Sequence, residues 1–130
     1  MTLDFQAIEQ AVKEEKNAGG FAELMKKFQK LGVIRYEYLV EEGIYRYFDQ
    51  KSSIDLKMNG VAKPVDPKGD STGIKQAVRQ AQSGVITFEQ FCELAGKAGI
   101  LYWSTDLNKK MVSYFDRENQ IQLQEPIPGL

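Results

Sequence analysis

The chain has 130 residues, of which 42% are apolar and 27% are charged, and its 18 acidic and 17 basic side chains leave a net charge of −1. This composition predicts one globular domain and argues against a nucleic-acid partner, because proteins that bind a phosphate backbone usually carry a basic excess. The lack of histidine and the single cysteine exclude an intramolecular disulfide, His/Cys zinc clusters and Ser-His-Asp triads.

The start of the chain and its hydropathy predict a cytoplasmic protein. Met1–Asp4 has neither the basic start nor the apolar core of a signal peptide. No apolar stretch approaches the length of about 20 residues that crosses a bilayer. We therefore expect no membrane segment.

The first third of the chain predicts two amphipathic helices, because apolar residues recur at spacings of three and four. The face of the first helix consists of Phe5, Ile8, Ala11 and Val12. The face of the second consists of Phe21, Leu24, Met25 and Phe28. Gly32 is positioned to end the second helix as its C′ residue.

A three-stranded antiparallel meander is expected next. Aromatic and β-branched side chains alternate with polar ones after Gly32, so that one set faces the core and Arg35 and Glu37 face away. The core-facing set is Ile34, Tyr36, Tyr38 and Val40. Two further strands are predicted near 44–49 and 53–57.

The second half of the chain predicts the same order of elements. Its first helix has the apolar face Ile74, Ala77, Val78 and Ala81, followed by Gly84. Its second helix opens with a capping box of Thr87 and Gln90, buries Phe88, Phe91, Cys92 and Ala95, and stops at Gly99. Strands are expected from residue 101 and near 111–116 and 120–124. Pro126 is expected to prevent the last strand from continuing, because proline has no backbone donor.

The two halves also match residue by residue. With a shift of 67, residues 21–57 lie over 88–124 without a gap, and eight of these 37 pairs are identical, whereas average composition gives about two. We therefore predict an α+β single domain, formed by internal duplication of a helix–helix–three-strand unit and packed about a pseudo-two-fold axis. Repeat 1 spans about 3–58, the linker about 59–71 and repeat 2 about 72–125. The sequence leaves open whether the two sheets join edge to edge or pack face to face.

Two aspartates at equivalent repeat positions, Asp49 and Asp116, are candidates for a ligand or partner site. One hypothesis brings them together as paired carboxylates for acid–base chemistry or for a cation. The alternative, which we favour, is that each aspartate opens a hairpin turn, with Asn119 in the left-handed position of the second turn.

Aromatic residues on the predicted strands are the other candidates for binding, namely Tyr36, Tyr47, Trp103 and Tyr114. Aromatic side chains with polar tips suit a ligand pocket or a partner interface, but they are also ordinary half-buried strand residues. We favour the structural use. Cys92 lies on an apolar helix face, so we expect it in the core rather than as a reactive thiol.

The chain resembles a small bacterial family of unknown function that is sometimes labelled phage envelope protein and is similar to the YdfO-like proteins of prophage regions. The resemblance rests on Gln82–Cys92, Ala98–Trp103, Tyr114–Asp116 and the ending Glu125–Pro128, and it covers nearly the whole chain. It implies an origin in a mobile element. It supplies no catalytic or binding residues.

Together these features favour a non-catalytic binding or protein-interaction module with a regulatory role. A protein partner or self-association is expected, and no cofactor or metal. The alternative is a small-molecule-binding protein or an enzyme whose site lies between the two repeats, lined by the four aromatic residues and the two aspartates. The lack of a recognisable catalytic constellation favours the first hypothesis and leaves catalysis open.

Overall fold

Residues 21–57 and 60–127 are described by a computed structural model, with side chains from Met25 onward. In chain order the elements are α1 (Phe21–Lys30), β1 (Arg35–Leu39), β2 (Ile44–Phe48), β3 (Ser53–Leu56), α2 (Ser71–Gln82), α3 (Phe88–Lys97), β4 (Ile100–Asp106), β5 (Met111–Asp116) and β6 (Ile121–Pro126). The prediction of a mixed α+β domain is confirmed. The predicted first helix, with Phe5, Ile8, Ala11 and Val12, lies outside the described residues, as do the side chains of Phe21 and Leu24.

The six strands form one antiparallel sheet in the order β3-β2-β1-β4-β5-β6. The two predicted meanders therefore join edge to edge, through the pairing of β1 with β4. Backbone hydrogen bonds continue beyond both ends of this pair, since the Val40 N–H donates to the Leu101 carbonyl at 3.0 Å and the Leu107 N–H donates to the Ile34 carbonyl at 2.9 Å. The alternative of two sheets packed face to face is excluded for this chain.

All three described helices cover the same face of the sheet, which we call the inner face. Phe28 of α1 packs edge-on against Tyr36 and Tyr47, with ring centroids 5.7 and 5.3 Å apart. Phe91 of α3 packs against Trp103 at 5.2 Å. Helix α2 lies over β6, where Arg79 and Glu125 form an ion pair. Burial alternates along β1 and β2 as expected for strands with one covered face.

Both helices of the second half have a side-chain cap at the N-terminus, and the sequence predicts the one at α3. The Asp70 carboxylate accepts the Gly73 N–H at the start of α2. At α3 the Thr87 hydroxyl accepts the Gln90 N–H at 3.1 Å and the Gln90 side chain accepts the Thr87 N–H at 2.8 Å, so the predicted capping box is confirmed. Helix α3 is followed by Gly99 at φ +74°, the left-handed conformation expected of a C′ glycine.

The last strand is longer than predicted, because β6 continues to Pro126. The prediction that Pro126 prevents further pairing is wrong, and the position of β6 at the sheet edge explains why. The next residue, Ile127, donates its N–H inward to the Lys110 carbonyl at 2.9 Å. Neighbouring residues of a strand direct their N–H groups to opposite sides, so the proline nitrogen faces the open edge, where no donor is needed.

The segment between the two halves is held against α3 and the end of β1. Lys63 donates its N–H to Val40, Asp66 to Gly96 and Asp70 to Ala98, at 2.8–3.1 Å. Gly96 lies so close to this segment that an added Cβ would be 2.2 Å from the Pro64 carbonyl oxygen. The segment is therefore fixed in place by backbone hydrogen bonds and by a glycine that leaves room for it.

Replacing Gly96 with alanine tests this close approach. Alanine favours a helix, but its methyl group would push the 60–70 segment away, so we expect Gly96→Ala to lower the free energy of unfolding by about 1–3 kcal/mol. The control is Glu93→Ala, at an exposed position of the same helix, where a change within about 0.5 kcal/mol is expected. Denaturant unfolding measures both. Equal stability of the two variants would contradict the close packing of the segment on α3.

Candidate functional site

The four aromatic residues singled out from the sequence are all part of the core. Tyr36, Tyr47, Trp103 and Tyr114 have exposed fractions of 5%, 1%, 6% and 8% on the inner face. Trp103 stacks on Tyr38 at 4.6 Å and packs against Tyr114 at 5.9 Å. These contacts agree with the structural interpretation, and a role in ligand binding stays a prediction.

Burial raises the pKa values of the tyrosine and cysteine side chains in this core. It raises the pKa of Tyr36 to about 12, and a hydrogen bond with the Thr105 side chain partly offsets that rise. Burial also raises the pKa values of Tyr47 and Tyr114. It raises the pKa of the Cys92 thiol to about 11, which supports the expectation of an unreactive core cysteine. These groups are neutral at physiological pH.

Tyr38 connects three parts of the molecule through its hydroxyl group. The hydroxyl donates to the Val61 carbonyl at 3.3 Å and accepts the Val61 N–H at 3.1 Å. The Cys92 thiol of α3 also donates to it, at 3.4 Å. Strand β1, the 60–70 segment and α3 therefore meet at a fully buried tyrosine. All three hydrogen bonds of its hydroxyl group are therefore made within the protein.

Asp49 and Asp116 each organise a hairpin turn, which confirms the interpretation favoured from the sequence. Asp49 Oδ1 accepts the N–H groups of Lys51 and Ser52, and these two bonds lower its pKa. Asp116 Oδ1 accepts the N–H groups of Glu118 and Gln120. Asn119 takes the left-handed position, with φ +63°.

The paired-carboxylate hypothesis is wrong, because the sheet separates the two aspartates. Strands β2 and β5 run in opposite directions, so Asp49 and Asp116 lie at opposite ends of the sheet. Strands of five residues span about 17 Å, and the three strand spacings between β2 and β5 add a lateral separation of about 14 Å. Such a distance excludes a shared proton or cation.

The opposite face of the sheet, which we call the outer face, carries an unbroken row of apolar side chains. Directly paired residues on five neighbouring strands form this row, which we call the apolar row: Ile44, Leu39, Tyr102, Phe115 and Ile121. Tyr102 and Phe115 stack with ring centroids 4.7 Å apart, and Ile121 is 51% exposed. None of the described helices covers the row.

A second row, the polar row, runs beside the apolar row across all six strands and consists of Asp55, Arg46, Glu37, Ser104, Ser113 and Gln124. Its charges are confined to β1–β3. Arg46 forms a two-point ion pair with Asp55, with N–O distances of 2.8 and 3.1 Å. The half on β4–β6 is neutral, and there the Gln124 amide donates to the Ser113 hydroxyl.

Sequence reasoning missed the apolar row, although a signal for it exists. Apolar residues stand next to one another in Tyr38-Leu39-Val40, Leu101-Tyr102-Trp103 and Tyr114-Phe115. In a strand, consecutive side chains point to opposite faces, so such runs indicate that both faces carry apolar groups. Only the register between strands shows that these second-face residues form one row.

Described residues on the helical side of the molecule form a small cleft and a wider groove. A small cleft of about 160 Å³ between α2 and α3 is lined by Asp70, Gly73, Gln76, Ala77, Gln80, Leu94, Lys97 and Ala98. A wider groove of about 900 Å³ between α2 and β6 is lined by Ser71, Thr72, Lys75, Gln76, Arg79, Gln80, Gln122 and Leu123. The first is below the size of a typical ligand pocket. Of the two cationic side chains that line the second, Lys75 and Arg79, Arg79 is paired with Glu125.

The described part of the chain holds no group of three acidic or cysteine side chains that could bind a metal ion. None of the described helices has the length and apolarity that crossing a membrane requires.

Comparison with known proteins assigns a family but no activity. Residues 9–126 match the family described as Protein of unknown function (DUF1398). No curated protein sequence matches the chain.

Truncating a tyrosine on each face of the sheet tests which face is the core. We expect Tyr47→Ala to lower the free energy of unfolding by about 3–5 kcal/mol, because a large ring is removed from a packed interior. Tyr102→Ala, the same change on the outer face, should cost only about 1 kcal/mol. Denaturant unfolding of both variants measures the difference. Equal losses would contradict the assignment of inner and outer faces.

The turn at Asp116 predicts a pH dependence of stability. The Gln120 N–H and the Gln122 side-chain amide hold the pKa of Asp116 below its usual value. The resulting stabilisation is present above the unfolded-state pKa of about 3.9 and is lost as the pH falls through the lower folded-state pKa. We therefore expect Asp116→Asn to be less stable than the wild type at neutral pH, and the gap to shrink towards about pH 2. Unfolding midpoints across this range measure the gap, and a constant gap would contradict the assigned role.

Proposed function

The chain belongs to the DUF1398 family of proteins of unknown function, and from the geometry of its sheet we propose that it is a non-catalytic protein-interaction module that binds through the apolar row. One observation carries this proposal: five apolar side chains form a continuous row on the sheet face that the described helices leave open. At the usual strand spacing the row is about 19 Å long. Ile121 is exposed and the other four side chains are half-buried, and a contiguous apolar surface that water still reaches is typical of interaction sites.

The surroundings of the row support the same function. Aromatic side chains at the centre with charged and polar groups at the margin are characteristic of protein interfaces. Tyr102 and Phe115 form the aromatic centre. The ion pairs Arg46–Asp55 and Arg35–Glu37 lie beside the apolar row and restrain their side chains. A partner thus meets a largely preformed surface, which lowers the entropic cost of binding.

We further propose that the domain arose by internal duplication and is packed about a pseudo-two-fold axis. The sequence matches between the halves support this origin, and so does the strand order, which reads as the same meander outward from the β1–β4 pair in both directions. The resemblance to prophage proteins supports a mobile-element origin, and within this proposal the protein acts in the cytoplasm.

The alternative of a small-molecule or catalytic site between the repeats stays a prediction. Its four aromatic residues pack in the core and its two aspartates lie at opposite ends of the sheet, so these six residues support it less than the apolar row supports the interaction function.

Photo-cross-linking in the host cell tests the interaction function. A benzophenone amino acid replaces Tyr102 in the apolar row or, as the control, exposed Glu93 on α3. Irradiation should give specific protein adducts from position 102 at several times the yield from position 93. Adducts at equal yield from both positions, or none from position 102, would contradict an interaction module that uses the apolar row.

A further inference from the structure

We infer that the partner of the apolar row is a second copy of this chain, so that two outer faces pack against each other; this inference rests on the proposed function. The two-fold axis lies between the two sheets, runs parallel to the strands and passes over the β1–β4 seam. This operation places β1 over β4 of the other copy and β2 over β5. Two antiparallel sheets packed face to face with nearly aligned strands are a common arrangement.

The apolar row is self-complementary under this operation. The register places Leu39 and Tyr102 at the same height on β1 and β4, so Leu39 faces the partner's Tyr102. Ile44 and Phe115 also share this height, and Ile44 faces the partner's Phe115. Each row therefore lies along the other, and both lose contact with water over their length.

The polar row decides the orientation, because its charges are confined to one half. The two-fold axis places Arg46 over the partner's Ser113 and Glu37 over the partner's Ser104. Each charged side chain thus meets a neutral polar one. The alternative is a two-fold axis that lies between the sheets and runs perpendicular to the strands. If the two faces overlapped to the same extent, it would place Arg46 on the partner's Arg46 and Glu37 on the partner's Glu37. Like charges in contact oppose that arrangement.

A third row of the outer face includes Phe48, Arg35, Asp106 and Met111. In the favoured arrangement this row brings opposite charges of the two copies together. Arg35 and Asp106 are paired across the β1–β4 seam, so each Arg35 faces the partner's Asp106. The Arg35 guanidinium lies 3.7 Å from the centre of the Phe48 ring, which fixes it above the sheet. Phe48 faces the partner's Met111. With a net charge of −1 on each copy, long-range repulsion between copies is small.

The size of the face predicts a weak dimer. Six strands at about 4.8 Å spacing and about 17 Å length give roughly 490 Å² for each copy, or about 1,000 Å² in total. Stable complexes bury about 1,200–2,000 Å², so this area lies at the transient end. We expect a dissociation constant on the order of 100 µM.

Sedimentation equilibrium of the purified chain up to about 1 mM tests the dimer. The variant Ile121→Lys changes an exposed side chain and places its charge beside the partner's Lys57, the residue after β3. It should weaken association at least tenfold, and unfolding midpoints check that the fold is retained. The control is Val85→Lys, the same type of change at a residue that is 69% exposed and outside the sheet, and it should leave association unchanged.

Charge changes at Gln124 test the orientation. Gln124 is an exposed residue of the edge strand, and it faces the partner's Asp55 in the inferred dimer. At low salt, Gln124→Lys should associate several-fold more tightly than Gln124→Glu. A dimer that is indifferent to Ile121→Lys, or in which the two Gln124 variants associate equally, would overturn the inferred geometry.

Cross-linking and sedimentation together distinguish failure of the inferred dimer from failure of the proposed interaction function. If position 102 captures a different protein in cells and the purified chain stays monomeric at about 1 mM, self-association is wrong and the interaction function stands. If position 102 captures only a second copy and the purified dimer responds to the variants as expected, both are supported. If position 102 captures nothing and the purified chain stays monomeric, both are wrong.

Discussion

The antiparallel pairing of β1 with β4 is the constraint on which the rest of the structure depends. It joins two three-stranded meanders into one sheet and fixes which residues of one meander lie beside which residues of the other. Because side chains alternate between faces, a slip of one residue along β4 would move Trp103 out of the core and Tyr102 into it. Both the inner core and the apolar row exist only in this register.

The inner face explains why that register is stable. Tyr38 and Trp103 stack directly across the seam, at 4.6 Å. The hydroxyl of Tyr38 is bonded to Val61 and to Cys92, so the ring is held from behind by the 60–70 segment and by α3. A buried ring with its polar tip satisfied stabilises one arrangement over its alternatives. On the outer face the described pairs across the seam, such as Leu39–Tyr102 and Glu37–Ser104, include no stacked rings, and their placement follows from the register that the inner face sets.

The sequence predicted the caps and turns that neighbouring residues determine. It missed the features that depend on residues far apart in the chain. The capping box at Thr87, the glycine after α3 and the aspartate turn at Asp116 are set by groups within a few residues of one another, and all three are confirmed. The joining of the meanders stayed open, because each strand has two edges and local pattern does not select a partner. The apolar row was missed for the same reason, since it needs the relative register of five strands.

The register of the β1–β4 seam is most directly tested by nuclear Overhauser effects between α-protons. The hydrogen bond from Val40 to Leu101 fixes the phase of the ladder, so Arg35–Asp106, Glu37–Ser104 and Leu39–Tyr102 are the close pairs without mutual hydrogen bonds, with Cα atoms about 4.5 Å apart. We expect strong cross-peaks for these three pairs. Cross-peaks in a shifted register, or their absence with β1 and β4 otherwise ordered, would contradict both the core and the binding surface derived from it.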